Sequence, residues 1–344
     1  MKRYKYLVIL LVILCLCLTS AVFNQAVSAE VGFATTAQSA IVMEQSTQRI
    51  FFAKNCDAHL PMASTTKIVT ALTVLNHANL DDVVEIDSRA VGIEGSSIYL
   101  RAGEHLTVRE LLYGLMLRSG NDTAVALALH VAGSIDSFAE LMNETAREAG
   151  CTDSNFANPH GLHDDNHYTS AHDLGVLTCV AMENEDFREI VSTKTVRISN
   201  EGMEYDRVLI NKNKLLSNFA DADGVKTGYT KKAGRCFVGS ATRNGMQVVV
   251  VVLNCGPMFE ETADMLNAAF ADYQLQTVIP QNKICGTRAE RGKQCYYVCP
   301  ERFSYPLANG EELSTEINLD CEVPTIKALL NGKTVFEREL VKLN

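Results

Sequence analysis

A serine followed three residues later by a lysine, in Ser64-Thr65-Thr66-Lys67, opens onto the apolar run Ile68-Val69-Thr70-Ala71-Leu72-Thr73-Val74-Leu75. Residues i and i+3 share one side of a helix. The spacing therefore predicts Ser64 and Lys67 facing each other in a first helical turn, with Pro61 just ahead, where a missing N–H costs little. The apolar run would bury this helix through a domain centre. Desolvation lowers a lysine pKa, and a neutral amine beside a hydroxyl can take its proton. Ser64 is thus a candidate nucleophile and Lys67 its candidate base. The competing structural reading is a capping serine and a snorkelling lysine, so the rest of the chain has to decide.

Two further tripeptides follow in order, Ser119-Gly120-Asn121 and Lys226-Thr227-Gly228. Ser119 falls in a turn between helices, where its hydroxyl could relay a proton, and Asn121 could hold a substrate backbone. Lys226 and Thr227 are expected just ahead of a strand starting near Arg235, on a sheet edge to which an extended peptide could add. Each tripeptide alone is a common turn. In this order, S-x-x-K, S-x-N and K-T-G form the signature of penicillin-interacting serine enzymes, here with Gly120 at the middle of the second motif.

With these motifs the sequence resembles the low-molecular-mass penicillin-binding proteins that act as D-alanyl-D-alanine carboxypeptidases, closest to the Gram-positive type. The resemblance extends over nearly all of the chain after its leader. It includes Pro61-Met62-Ala63-Ser64, Gly95-Ser96-Ser97-Ile98-Tyr99-Leu100, Asn158-Pro159-His160-Gly161-Leu162-His163-Asp164 and Asp223-Gly224-Val225-Lys226-Thr227-Gly228-Tyr229-Thr230. It implies an α/β (α+β) penicillin-binding/β-lactamase-like transpeptidase fold, an antiparallel sheet flanked by helices, with a small C-terminal all-β domain. It implies that Lys226 and Thr227 meet the terminal carboxylate of the substrate, that Gly228 is also a substrate-binding residue, and that the oxyanion donors are the backbone N–H groups of Ser64 and Tyr229. The substrate implied is the peptidoglycan stem pentapeptide, β-lactams would acylate Ser64 as inhibitors, and no cofactor is called for.

The elements that must position these residues can be read locally. Ala40 to Met43 and Arg49 to Ala53 flank a polar turn and suggest a hairpin. Thr107-Val108-Arg109-Glu110 is a capping box opening a helix with Leu111, Leu112, Leu115 and Met116 on its apolar face. Further helices are expected from about Thr123 to Val131, Ile135 to Ala149 and Glu260 to Ala271. Cys236 to Ala241 and Gln247 to Leu253 read as strands joined at Arg243-Asn244-Gly245. The unbroken apolar run Val248 to Leu253 marks a strand covered on both faces. After Pro280 come short alternating segments, Gln294 to Cys299, Glu316 to Leu319, Thr325 to Leu330 and Thr334 to Leu340. The expected organisation is an export signal over 1–29, a catalytic domain over 30–275 and a small β domain over 280–344.

Residues 1–29 have a basic start (Lys2, Arg3, Lys5), an apolar run from Leu7 to Leu18 and a small-residue site at Val27-Ser28-Ala29. Removing them would take the formal charge from -10 to about -13, which argues against nucleic acid as a partner. Anion recognition must then come from a few local cations. Of 11 cysteines two lie in the leader, and Cys285, Cys295, Cys299 and Cys321 could form two bridges. His160, His163, His167 and His172 with Asp164, Asp165 and Asp173 look like metal ligands. The alternative, preferred here, is a structured polar loop with Thr169 or Ser170 capping the helix that carries Asp173 and Leu174, and no metal. Cys56 and Cys151 fall near the motifs, but Ser64 already supplies a nucleophile.

A β-lactamase of the same superfamily would need a deacylating glutamate, and no Glu-x-x-Leu-Asn segment lies between the second and third motifs. An endopeptidase cutting cross-linked stems is chemically close. A non-catalytic wall-binding module is the reading from a different class, set against the presence of every key polar residue. The segment Glu337 to Lys342 alternates like a strand, not like the amphipathic helix that often holds family members on a membrane, which leaves membrane association open.

Overall fold

The computed structural model describes residues 33–290 and 292–343; the leader expected over 1–29 lies outside them. At the centre is a five-stranded antiparallel sheet. Its strands are β1 (Ser39–Glu44), β2 (Ile50–Lys54), β7 (Ala222–Thr230), β8 (Gly234–Arg243) and β9 (Met246–Leu253), in the order β2-β1-β9-β8-β7. The run Val248 to Leu253 is fully buried because β9 is the middle strand. Helix α8 (Met258–Asp272) packs on β8 and β9, and α5 (Ala171–Ala181) packs on β1 and β9.

The rest of the large core is helical. It comprises α1 (Lys67–His77), α2 (Val108–Leu117), α3 (Asn121–Ala132), α4 (Ile135–Glu148), α6 (Glu185–Ser192) and a single turn α7 (Leu215–Asn218). Helix α1 contacts α2, α3, α4, α5 and α6, so it runs through the middle of this layer as its apolar sequence requires. The Thr107–Glu110 capping box is formed at the start of α2. Two short hairpins, β3 (Val83–Glu85) with β4 (His105–Thr107) and β5 (Thr195–Ile198) with β6 (Arg207–Ile210), flank the helices.

From Tyr273 onward every element is a strand: β10 (Tyr273–Ile279), β11 (Ile284–Glu290), β12 (Lys293–Val298), β13 (Phe303–Ala308), β14 (Leu313–Asn318), β15 (Thr325–Leu330), β16 (Lys333–Glu339) and β17 (Val341–Leu343). Four of these correspond to segments read from the sequence. They enclose their own small core around Ile279, Tyr297, Cys299, Phe303 and Ile326. Arg49 joins the two cores. Its guanidinium lies between the rings of Tyr273 and Tyr305, 5.2 Å from each centroid, and pairs with Glu311 at 2.7 Å.

Candidate active site

Ser64 sits in a turn of 3-10 helix, Ala63–Thr66, that leads directly into α1. The α-helix itself begins at Lys67, so Ser64 precedes the first α turn expected to carry it. Ala63 holds a left-handed backbone (φ 51°), a conformation that costs a non-glycine residue energy and is kept where geometry demands it. The Thr65 and Thr66 hydroxyls brace the turn by donating to the Met62 and Ala63 carbonyls at 2.7 and 2.8 Å.

Lys67 is fully buried. Its Nζ lies 3.1 Å from Ser64 Oγ, 2.7 Å from Asn121 Oδ1 and 2.7 Å from the His160 carbonyl oxygen. Burial drives its pKa well below the ordinary value, and the charges of Lys226 and Lys212 push the same way, against a smaller opposing pull from Asp122. A neutral amine has two N–H donors and one lone pair. In that form the two carbonyl oxygens, which only accept, would take the donors and leave the lone pair for the Ser64 hydroxyl. The Asn121 orientation is fixed independently, since its Nδ2 donates to the Glu94 carbonyl at 2.5 Å.

The three partners of Lys67 come from three places. Asn121 opens α3, two residues earlier than that helix was expected to start. Asp122 beside it accepts from Ser97 Oγ and from the backbone N–H groups of Ile98 and Leu100, tying the Gly95–Leu100 loop to the helix start. Ser119 lies in the break between α2 and α3 with a left-handed backbone (φ 63°). The His160 carbonyl is aimed by a turn in which Asn158 Oδ1 accepts from the N–H groups of His160 and Gly161. A Cβ on Gly161 would stand 2.0 Å from the Ala63 carbonyl oxygen, so only glycine lets this loop reach the nucleophile turn.

Lys226, Thr227 and Gly228 lie inside β7, not ahead of a strand as the sequence suggested. β7 is the edge strand, so the expected open edge is there, carried by the motif itself. The polar character of Asp223 to Thr230 hid it: hydroxyls of Ser240 and Thr242 and the Gln247 amide all donate to Asp223, anchoring β7 with side chains a strand pattern does not flag. Gly228 is the point of closest approach, where a Cβ would meet Ser64 N at 3.0 Å and Thr65 N at 3.1 Å. Lys226 is buried behind this strand, its Nζ donating to the Thr227 carbonyl at 2.9 Å, and desolvation with the Lys212 charge brings its pKa down to about 7.

Ser64, Ser119, Thr227, Gly228 and Tyr229 open together onto one cleft of about 600 Å³ that also meets Ser96, Lys212 and Arg235. Lys67, Asn121 and Lys226 stand behind this surface. Lys212 was not singled out in the sequence: it follows no motif, and only the fold brings it to the cleft.

The histidines do not converge. The His167 ring Nδ1 accepts from the Ala157 N–H at 3.0 Å and its Nε2 lies 2.8 Å from the Thr66 hydroxyl, which already donates to Ala63. That makes His167 the Nε2–H tautomer, and burial lowers its pKa to about 4. His163 and His172 pair with Asp165 and Asp173, respectively. Ser170, not Thr169, caps α5 by accepting from the Asp173 N–H. Among the described residues no group of three or more His, Cys, Asp or Glu could hold a metal ion. The nine described cysteines are all free thiols, so the two C-terminal bridges are not formed, and burial pushes the Cys151 thiol up to about 12.

Residues 24–256 match the D-alanyl-D-alanine carboxypeptidase family. The chain belongs to that family. It is 32% identical to the D-alanyl-D-alanine carboxypeptidase DacF of Bacillus subtilis over 81% of this chain and 74% of that protein. It is 29% identical to DacA of Escherichia coli over 89% of this chain and 83% of the relative. Among solved structures, penicillin binding protein 5 from Haemophilus influenzae superposes with a TM-score of 0.78 at 26% identity, covering 90% of this chain and 97% of that one. A mutant form of the Streptomyces K15 DD-transpeptidase gives a TM-score of 0.65 at 33% identity, over 69% of this chain and 99% of the other. The fold is therefore the penicillin-binding fold with C-terminal β strands, and the protein is a serine-type carboxypeptidase hydrolase acting on the cell wall.

Proposed function

We propose that this carboxypeptidase trims the terminal D-alanine from peptidoglycan stem pentapeptides through an acyl-enzyme on Ser64, and that β-lactams acylate the same oxygen. The observation that carries this reading is the coordination of Lys67, whose two carbonyl acceptors leave its lone pair at Ser64. Ser64 Oγ attacks the carbonyl of the penultimate D-alanine while Lys67 Nζ takes its proton. The backbone N–H groups of Ser64 and Tyr229 receive the oxyanion, brought together by the close approach of Gly228. The carbon–nitrogen bond then breaks as Lys67 gives its proton to the Ser119 hydroxyl, which passes its own to the departing amine, leaving Lys67 neutral again. Water attacks the ester with Lys67 again as base, restoring the hydroxyl.

The substrate lies extended along the free edge of β7 beside Thr227, while Asn121, expected to hold the substrate, is buried behind the cleft and holds Lys67 instead. An export signal over 1–29 would carry the chain out of the cytoplasm to a cell-wall substrate. A catalytic domain over 30–275 and a β domain over 280–344 are supported by the two separate hydrophobic clusters and by the K15 chain, which is covered to 99% by 69% of this one. Among the described residues no single helix is long and apolar enough to cross a membrane.

The test is release of D-alanine from a peptide ending in D-Ala-D-Ala. The wild-type chain should release it and Ser64→Ala should not. No release by the wild type, or equal release by both, overturns the reading.

A further inference from the structure

The backbone N–H of Ser64 can serve as an oxyanion donor only if the Ala63–Ser64 peptide stands the right way round. In a planar trans peptide the C=O and N–H point in opposite directions, so fixing one aims the other. Two close approaches mark the two sides of this peptide. A Cβ on Gly161 would stand 2.0 Å from the Ala63 carbonyl oxygen, and a Cβ on Gly228 would stand 3.0 Å from Ser64 N. The oxygen therefore faces the 157–167 loop and the nitrogen faces β7. Ala63 keeps this orientation with a left-handed backbone (φ 51°), which persists only where its neighbours over-determine it.

A directed chain of hydrogen bonds from that loop fixes the oxygen. The Ala157 N–H donates to His167 Nδ1 at 3.0 Å. His167 Nε2 lies 2.8 Å from Thr66 Oγ1, which donates to the Ala63 carbonyl at 2.8 Å. A hydroxyl has one proton to give, so Thr66, having spent it on Ala63, accepts from His167 Nε2–H. Thr66 and His167 are both buried, and Phe156 packs edge-on against the imidazole with 5.9 Å between ring centroids. Burial brings the His167 pKa down to about 4, which leaves Nδ1 free to accept near neutral pH.

We propose that His167 is a positioning residue for the reaction: through Thr66 it holds the Ala63 carbonyl and so aims the Ser64 N–H at the oxyanion. The assignment rests on the carboxypeptidase reading above. Neither side chain lines the cleft, so neither meets the substrate. Without the imidazole, the Thr66 hydroxyl is free to turn away from Ala63 and the strained peptide can relax. That withdraws one oxyanion donor and leaves the binding edge of β7 as it was. The loss therefore falls on the transition state and not on substrate binding.

The experiment measures D-alanine release from a peptide ending in D-Ala-D-Ala by the wild-type chain, His167→Phe, His167→Gln, Thr66→Val and the His167→Phe/Thr66→Val double variant. His167→Phe should lower kcat about 10- to 100-fold, with KM changed by less than about twofold. His167→Gln, whose amide N–H can still reach Thr66, should recover most of the loss. Thr66→Val should lose as much as His167→Phe, and the double variant no more than either, because both act through one carbonyl. Thr66→Val decides the matter alone if His167→Phe does not fold. An unchanged kcat in either folded single variant, a loss carried by KM, or losses that multiply in the double variant overturn the assignment and leave the carboxypeptidase reading intact. No release by the wild type removes that reading and the His167 role with it.

Discussion

Around the cleft, Lys67 and Lys226 are buried with no carboxylate partner among the described residues. In the C-terminal strands several exposed or half-buried cations are paired: Arg288 and Lys342 with Glu290, Arg338 with Glu301, Lys327 with Glu337. Exposed pairs of the second kind contribute little and cost little. Uncompensated buried amines of the first kind destabilise the fold, and a chain retains them where their depressed pKa values do chemistry. The difference supports the proposed placement of the reaction at the cleft, away from the C-terminal strands.

The largest effect expected from breaking this contrast is in Lys67→Met, which removes the base and the buried amine together. Acylation by penicillin should slow about 10²- to 10⁴-fold, the range for a lost general base. The melting temperature should hold or rise. A destabilised variant would show that Lys67 is structural. Next comes Gly228→Val, whose side chain would press on the backbone N–H groups of Ser64 and Thr65. Turnover should fall about 10²-fold or more, the scale of a lost oxyanion donor, with the fold retained by circular dichroism.

Lys226→Met sharpens the comparison by pH. The Lys226 pKa of about 7 lies below its ordinary 10.5, so between these values the unfolded chain binds the extra proton. Stability therefore rises with pH through this window, and the penalty of burying Lys226 is fully present below about pH 7. Calorimetry should show Lys226→Met stabilised more at about pH 6 than at about pH 10; the opposite order would mean that Lys226 is stabilised as a cation by groups in the site. The smallest effect falls outside the cleft. Arg49→Ala removes the Glu311 pair and two ring contacts at the seam with the C-terminal strands. It should cost about 1–3 kcal/mol of stability and leave kcat/KM unchanged.

How much of this was legible in the sequence follows from range. Ser64 and Lys67 are three residues apart on one turn, so their meeting could be read directly. The buried helix after them, the capping box at Thr107 and the central strand Val248 to Leu253 were visible as local periodicity. The edge strand β7 was misplaced because its Asp, Lys and Thr residues do not alternate and its anchors come from β8 and β9. The His160 carbonyl could not be read, since it is a backbone atom delivered by a loop about ninety residues away. Lys212 belongs to the same class. Strands β10 and β11 went unread because their largely exposed faces carry no clean period of two, and β13 because it is buried along nearly its whole length and contains Pro306.

Everything proposed for the cleft depends on Ser64 being the atom that becomes acylated. Intact mass of the wild-type chain followed over time with penicillin, with peptide mapping of the product, tests this most directly. The predicted result is one drug-sized adduct that persists for minutes and maps to the peptide containing Ser64. No adduct, an adduct on another residue, or one that turns over within seconds while the drug is consumed would contradict it.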